Sequence, residues 1–341
     1  MAFGFDLSKG LEALFRGLMT PFEEFGDPGS RHFGLALFVG GLWAFVFLRR
    51  SRRTKSTKEA LGIIFDRRVW LHPSALLDYQ LLFANALLRP LFFGVTALSG
   101  IQAASKSFLW MRTHLGPGPL QGMPLWLMEG CFSVSVFVVE DFFRFLLHLA
   151  FHRFDALWVI HKVHHSAQVM TPFTVHRVHP IESAINRGVI ALVIGVVGGV
   201  WSWACDAPIS GWTILGVDAL GVAWNVLGAA LRHSEIPVHY PRWLEHLLIS
   251  PAQHQIHHGE APDHHRKNFG STLAIWDWMF GSLQTSNERK RVRYGLPAFE
   301  EGWPSLWGAL TFPPFRAASI CLKKLKNLAL WVGSGLSKAS H

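Results

Sequence analysis

Charge is scarce in this chain: of its 341 residues only 16% are Asp, Glu, Lys or Arg, while 50% are hydrophobic. Soluble chains carry nearer a quarter charged residues, so a deficit of this size, with a mean hydropathy of +0.24, argues against a fully water-facing surface. Cysteine is scarce too. Cys131, Cys205 and Cys321 stand far apart, which excludes a disulfide framework, a zinc knuckle and an iron–sulfur cluster and leaves three small packing residues. Tyrosine is outnumbered by tryptophan and phenylalanine, 3 against 15 and 27, a weighting suited to side chains that meet lipid and its interface. There is no internal repeat, no low-complexity tract and no HExxH motif, the last being the pattern a zinc hydrolase of that type needs for its general base.

What charge there is has a pattern. The net charge of +9 is concentrated in part at Arg49, Arg50, Arg52, Arg53, Lys55 and Lys58, directly after an apolar run. That is a juxtamembrane arrangement and not the basic, aromatic-studded face of a nucleic-acid binder. The first 25 residues place Phe5, Leu11, Phe15, Leu18, Met19 and Phe22 at near-helical spacing, interrupted by Lys9, Arg16, Glu23 and Glu24. Residues 1–32 are therefore expected to form an interfacial amphipathic segment. Apolar stretches at 33–48, 75–97 (kinked at Pro90), 124–139, 189–204 and 213–231 are candidate spans, the last two joined as a hairpin near Asp206, Pro208 and Gly211. The expectation is an all-α fold: a polytopic membrane bundle with a cytoplasmic helical cap. Residues 33–123 supply N-terminal spans, 124–285 the catalytic unit and 286–341 a basic C-terminal tail. Eight Lys or Arg residues fall in 49–74 but only Lys106 and Arg112 in 98–123. Positive-inside logic puts 49–74 in the cytoplasm, and continuing the count puts 148–188 and 232–341 there as well.

Those two cytoplasmic stretches hold the chemistry. Of 19 histidines, His148 and His152 stand at i, i+4, and His161, His164 and His165 form an HxxHH cluster. His254, His257 and His258 repeat that spacing about ninety residues later. Side chains three and four apart share a helix face, so each cluster aims its imidazoles at one point. Eight such rings could serve two metal ions with about four nitrogens each, whether iron, zinc or manganese. Asp141 lies two helical turns before His148, on the same face, where it could accept an imidazole N–H and fix the metal-binding tautomer. Pro180 disfavours a helix running through His179, which puts His179 in a turn facing the site; His179 and Glu182 are read as supporting the centre. His264 and His265, beside Asp263, Arg266 and Lys267, read as solvated. His32, His72, His114, His239, His246 and His341 have no partner at ligand spacing and read as structural.

The runs Asp141-Phe-Phe-Arg-Phe-Leu-Leu-His148-Leu-Ala-Phe-His152 and Leu157-Trp158-Val-Ile-His161-Lys-Val-His164-His165 resemble the sterol desaturase and fatty acid hydroxylase superfamily. So do His179-Pro-Ile-Glu182, Arg232-His233-Ser234, Pro251-Ala-Gln-His254-Gln-Ile-His257-His258, Asn268-Phe-Gly270 and Trp276-Asp277-Trp-Met-Phe280-Gly281. The likeness spans about 125–285. It implies two iron ions on the eight box histidines as the catalytic set, with His233 as a ninth ligand, using O2 against an unactivated C–H bond. Asn268, Gly270, Asp277 and Gly281 read as the turn and helix entry closing the cap, with Asn268 supporting the centre. The family often has an arginine after the first box histidine and a tyrosine three before it; here these are Leu149 and Phe145. Ala229 stands where some members carry another histidine. The implied partners are a membrane lipid substrate entering from the bilayer and an external electron-transfer protein. The implied location is a bacterial inner membrane or the endoplasmic reticulum. Hydroxylation and desaturation begin alike, and both stay open. A zinc-dependent membrane hydrolase fits the ligand count but lacks its base, and a metal transporter would place its ligands in mid-span.

Overall fold

The computed structural model describes residues 15, 19–23, 34–51, 53–211, 213–214, 217–226, 229–286, 292–298 and 300–339. The expected interfacial segment 1–32 lies almost wholly outside them. Apart from a two-stranded antiparallel hairpin, β1 (Thr213–Ile214) and β2 (Val217–Asp218), the regular elements are helical. In chain order they are α1 (Gly34–Arg50), α2 (Thr57–Ile64), α3 (Arg67–Trp70), α4 (Pro73–Leu115), α5 (Leu125–Arg153), α6 (Asp155–His165), α7 (Pro180–Cys205), α8 (Ala219–Val226), α9 (Pro251–His257), α10 (Ile275–Phe280) and α11 (Leu306–Ala339), with short 3-10 turns between.

Three long helices, α4, α5 and α7, set the frame, and one local device starts two of them. His72 and His179 each sit in extended backbone as the residue before the helix, and each accepts the N–H two residues on through Nδ1, at 3.1 Å. Pro73 and Pro180 then occupy the first helical position, where proline loses no hydrogen bond. α4 and α7 run side by side. A Cβ on Gly195 would run into the Gly100 carbonyl, and one on Gly199 into that of Ala104, so this small-xxx-small pair sets how closely the backbones approach. α5 runs antiparallel to both. At one end of the bundle Arg112 and Gln121 gather on Asp206, whose left-handed backbone (φ 53°) ends α7. The opposite end receives the N-termini of α4 and α7 and the C-terminus of α5, and every histidine cluster is there.

Several expectations change on contact with the structure. α4 is 43 residues long and continues through 98–115, which were expected to be loop. It bends by 51° between Pro73–Phe92 and Gly94–Leu115, close to Pro90, where a ring in place of an N–H weakens the ladder. The connection left after it, 116–124, contains no lysine or arginine. The expected span at 213–231 is not a continuous helix. It is the hairpin, the eight-residue α8 and a 3-10 turn at Ala229–Arg232. Gly211, Gly216 and Gly221 weaken a helix there, and the Asp218 carboxylate takes the Gly221 N–H at 2.5 Å. Among the described helices α7 alone is long and apolar enough to cross a bilayer, with α4 a second if its two limbs count as one span. α4 nonetheless leaves Leu91, Val95, Leu98 and Ile101 exposed, as α1 leaves Phe38 and Leu42. In the first part of the C-terminal stretch, Trp303 and Ala309 are buried with Leu77, Leu81, Val159 and Val163.

Because the α4–α7 contact has no room for a side chain, Gly195→Val should cost about 1–3 kcal/mol through overpacking. A lowered thermal unfolding midpoint in detergent would register it, and an unchanged midpoint would mean the two helices can separate freely.

Candidate metal centre

Nine imidazoles meet at the site end of the bundle, in two groups. His148, His152, His161, His165 and His257 form one, and His164, His233, His254 and His258 the other; within each group the candidate ligand atoms lie within 4.8 Å of one another. Each element contributes according to its geometry. α5 delivers His148 and His152 from its last two turns. α6 brings His161 and His165 to the first group and His164 to the second, because the HxxHH spacing fans three rings across one wide face. α9 does the same with His257 against His254 and His258. Ser250 and Gln253 start α9 with a reciprocal pair of side-chain to backbone bonds. His233 follows the 3-10 turn and enters the second group. The two groups adjoin: the rings of His165 and His258 stack at 4.6 Å.

The tautomers follow from the partners. His148 Nδ1 donates to the Phe269 carbonyl at 2.8 Å, His257 Nδ1 to the Lys267 carbonyl at 2.7 Å, and His164 Nδ1 to the Arg177 carbonyl at 3.3 Å. His161 Nδ1 donates to the Glu182 carboxylate at 2.8 Å, and both side chains are buried. With Nδ1 as donor, Nε2 is left as a lone-pair ligand pointing inward. The inward Nε2 atoms then approach one another, His148 to His257 at 3.0 Å, His254 to His233 at 3.1 Å, His258 to His254 at 3.2 Å and His164 to His233 at 3.3 Å. Two nitrogens bound to one ion at about 2.1 Å sit about 3.0 to 3.4 Å apart for angles from square to tetrahedral, so the spacing suits a shared ion. His152, His161 and His165 also keep buried Nε2 atoms with no hydrogen-bond partner among the described residues. Those orphaned atoms and the all-nitrogen donor set fit two closely spaced metal ions. Burial above all, and then the charge of neighbouring imidazoles, holds His164, His165, His254, His257 and His258 well below the usual histidine range. The rings are neutral, which is the metal-binding form.

The supporting residues differ from expectation in instructive ways. Asp141 does not reach His148. Seven residues put the two on one face but about 10 Å apart along the axis. The carboxylate instead takes the Thr272 and Leu273 N–H groups and the Trp276 indole, each at 2.9 Å. His179 has both ring nitrogens engaged away from the centre, Nδ1 on Ile181 and Nε2 on the Leu310 carbonyl at 3.0 Å. It starts α7 and thereby places Glu182. Asn268, in left-handed backbone (φ 57°), clamps its own loop by donating to the Gln253 and Gln284 carbonyls and accepting from the Gln284 N–H at 2.7 Å. The carbonyls on either side of it, Lys267 and Phe269, are the ones that orient His257 and His148. Asp277 holds the Phe269 and Gly270 N–H groups at 2.8 and 2.7 Å. Phe145 is fully buried against Phe269 and Phe280. His265, expected in solvent, is buried with its ring 4.8 Å from that of His165, and burial pushes it down to about 4.

Arg177 was missed altogether. Its guanidinium joins Asp78 and the Ser74 carbonyl on α4 to the Val163 carbonyl and Ser166 after α6, at 2.9 Å each, while its own carbonyl receives His164. The available signal was a lone arginine between two histidines in a charge-poor chain.

Glu182→Ala should weaken metal retention about 10- to 100-fold by freeing the His161 tautomer. Chelator competition would measure this, and full retention would make the contact incidental. A second expectation concerns pH. The folded chain keeps its rings neutral while the unfolded chain binds protons below about pH 6.5, so the metal-stripped protein should lose stability as pH falls from there. Thermal unfolding of chelator-treated protein across about pH 7.5 to 5.5 reads this out; stability rising on acidification would mean that the folded site holds charged rings.

Residues 133–282 match the family model described as fatty acid hydroxylase. Curated relatives include the alkylglycerol monooxygenases of Xenopus tropicalis, 27% identical over 200 residues (59% of this chain, 39% of the relative), and of Homo sapiens, 26% identical over 196 residues (58% and 38%). That of Caenorhabditis elegans is 24% identical over 190 residues (52% and 33%). The chain thus overlaps well under half the length of the curated relatives it matches. No solved structure matches it. The family match covers the two HxxHH clusters, the HxxxH pair and the loop that orients them, so the part of the chain that holds the centre is similar to the fatty acid hydroxylase family.

Proposed function

We propose that this chain is a membrane-embedded oxygenase that holds two iron ions on its nine clustered imidazoles and inserts one oxygen atom of O2 into a C–H bond of a lipid. The observation that carries the reading is the pair of histidine groups whose candidate ligand atoms converge at ligand spacing. The family match and the alkylglycerol monooxygenase relatives favour an oxygenase over other uses of such a site. His148, His152, His161, His165 and His257 would hold one ion and His164, His233, His254 and His258 the other. Iron bound there would supply a reducible, O2-reactive centre able to act on unactivated carbon. Overall, one C–H bond, O2, two electrons and two protons give one C–OH group and one water; a second hydrogen removal in place of oxygen insertion would give an alkene.

The protein's own part is positioning and exclusion of water. The Nδ1 anchors on Phe269, Lys267, Arg177 and Glu182 fix the ring planes, and Arg177 ties the α6 histidines to α4. Phe151, which stacks on His161 at 5.4 Å, and Phe269 wall the centre with hydrocarbon. The exposed apolar faces of α1 and α4 suit a polytopic bundle in lipid, with the site end on the basic, cytoplasmic side. Electrons would come from a separate carrier.

Anaerobic metal analysis of purified protein should find about two irons per chain, and oxygen-18 gas should label one new hydroxyl in a lipid extract. Zinc with no oxygen-dependent product overturns the reading. His257→Ala should abolish product and lose metal; undiminished product formation would remove α9 from the centre.

A further inference from the structure

Directly against the two histidine groups lies a cavity of about 520 Å³, within the roughly 300–1,000 Å³ usual for small-molecule sites. His148, His161, His164, His233 and His254 form its floor. Its walls are not hydrocarbon alone: Phe151, Val175, Val178 and Phe269 share them with polar groups. Arg89 of α4, Arg144 of α5, Arg187 of α7 and Arg232 of the 3-10 turn all line it, together with Asn85 and Asn186. Glu182 alone contributes a carboxylate to the lining, and that carboxylate holds the His161 ring. Four cations from four separate elements therefore face one space that also borders the metal positions.

Arg89, Arg144 and Arg187 stand on the long helices of a charge-poor bundle, and like charges gathered round one space favour an anion between them. Glu140 partners Arg144 at 2.5 Å, in a pair that is partly exposed. Arg232 is buried, donates to the Ser271 carbonyl and lies over the Trp224 ring at 5.7 Å. An alkyl chain would find apolar surroundings over only part of this lining. A planar fork of N–H donors is matched by an oxyanion.

We propose that this cavity takes the anionic head of the lipid, a phosphate or carboxylate, on Arg89, Arg144, Arg187 and Arg232, and so presents a carbon within a few bonds of that head to the metal centre. The proposal rests on the oxygenase reading for its consequence, but the anion site itself is read by binding alone. The head enters; the tail stays in the apolar surroundings outside.

The test uses the full chain in an uncharged detergent and three ligands of equal chain length: hexadecyl glycerol ether, its phosphate monoester, and hexadecanoate. Affinities are measured by competition against a fluorescent lipid, with metal content recorded in parallel. At least one anionic ligand should bind about tenfold or more tightly than the uncharged ether, and the tighter of the two identifies the head. Arg187→Gln, at an exposed position, and Arg89→Gln should each remove most of that preference while leaving uncharged-ether binding and metal content unchanged. Equal affinity for all three ligands, or a preference untouched by both substitutions in folded protein, overturns the anion site. Absence of iron or of oxygen-dependent product would sink the oxygenase reading and leave the binding result standing.

Discussion

The structure depends on gathering nine imidazoles into two tight groups while leaving lone pairs on the inward nitrogens for an ion. A buried imidazole with an idle N–H is costly, and four of the ligands meet that cost with an acceptor that does not compete for the inward nitrogen. Three rings use backbone carbonyls, of Arg177, Lys267 and Phe269, and one uses Glu182. A carbonyl is only as well placed as its chain. That is why the loop after α9 is so heavily braced. Asn268 closes it on itself, Asp277 takes two of its N–H groups, and Asp141 takes two more just beyond. The two aspartates never touch an imidazole, yet they fix the acceptors that do the orienting.

This division also explains what could be read in advance. Three- and four-residue spacing is a property of helices, so the HxxxH pair and both HxxHH clusters were legible as convergent rings before any coordinates. Glu182 was legible through the His179-Pro-Ile-Glu182 run that resembles the superfamily. The carbonyl acceptors were not, because every residue has one and no side-chain pattern marks those that are used. Asp141 illustrates the limit of face arguments: sharing a face is an angular statement, and hydrogen bonding needs axial proximity as well. His265 illustrates another. A polar local sequence read as solvent exposure, but the 3-10 turn it sits in is folded back onto Trp158 and His165.

Hydropathy located α4, α5 and α7 for a sound reason, since long apolar runs have few alternatives to a packed or lipid-facing helix. It failed at 213–231 because composition counts apolar residues without asking whether the backbone can stay helical. Glycines at 211, 216 and 221 and an aspartate able to cap locally gave the chain another option. The result is a short helix and a tight turn that deliver Arg232 and His233 to the centre, which a straight helix ending at 231 need not have done. The irregular return is thus part of how the second histidine group is completed.

An all-imidazole ligand set has a further electrostatic consequence. Neutral rings donate lone pairs but cancel none of an ion's charge, unlike the glutamate-rich cages of other two-metal bundles. Here Glu182 is a carboxylate bonded to a candidate ligand, acting through the His161 ring. Two divalent ions would therefore keep most of their positive charge, and the arginines bordering the same space add to it at short range and in low dielectric. The resting site would be a strongly positive hollow inside an otherwise apolar bundle. Such a field disfavours protonation of the ligands, which protects their lone pairs, and draws negative charge toward the cavity floor.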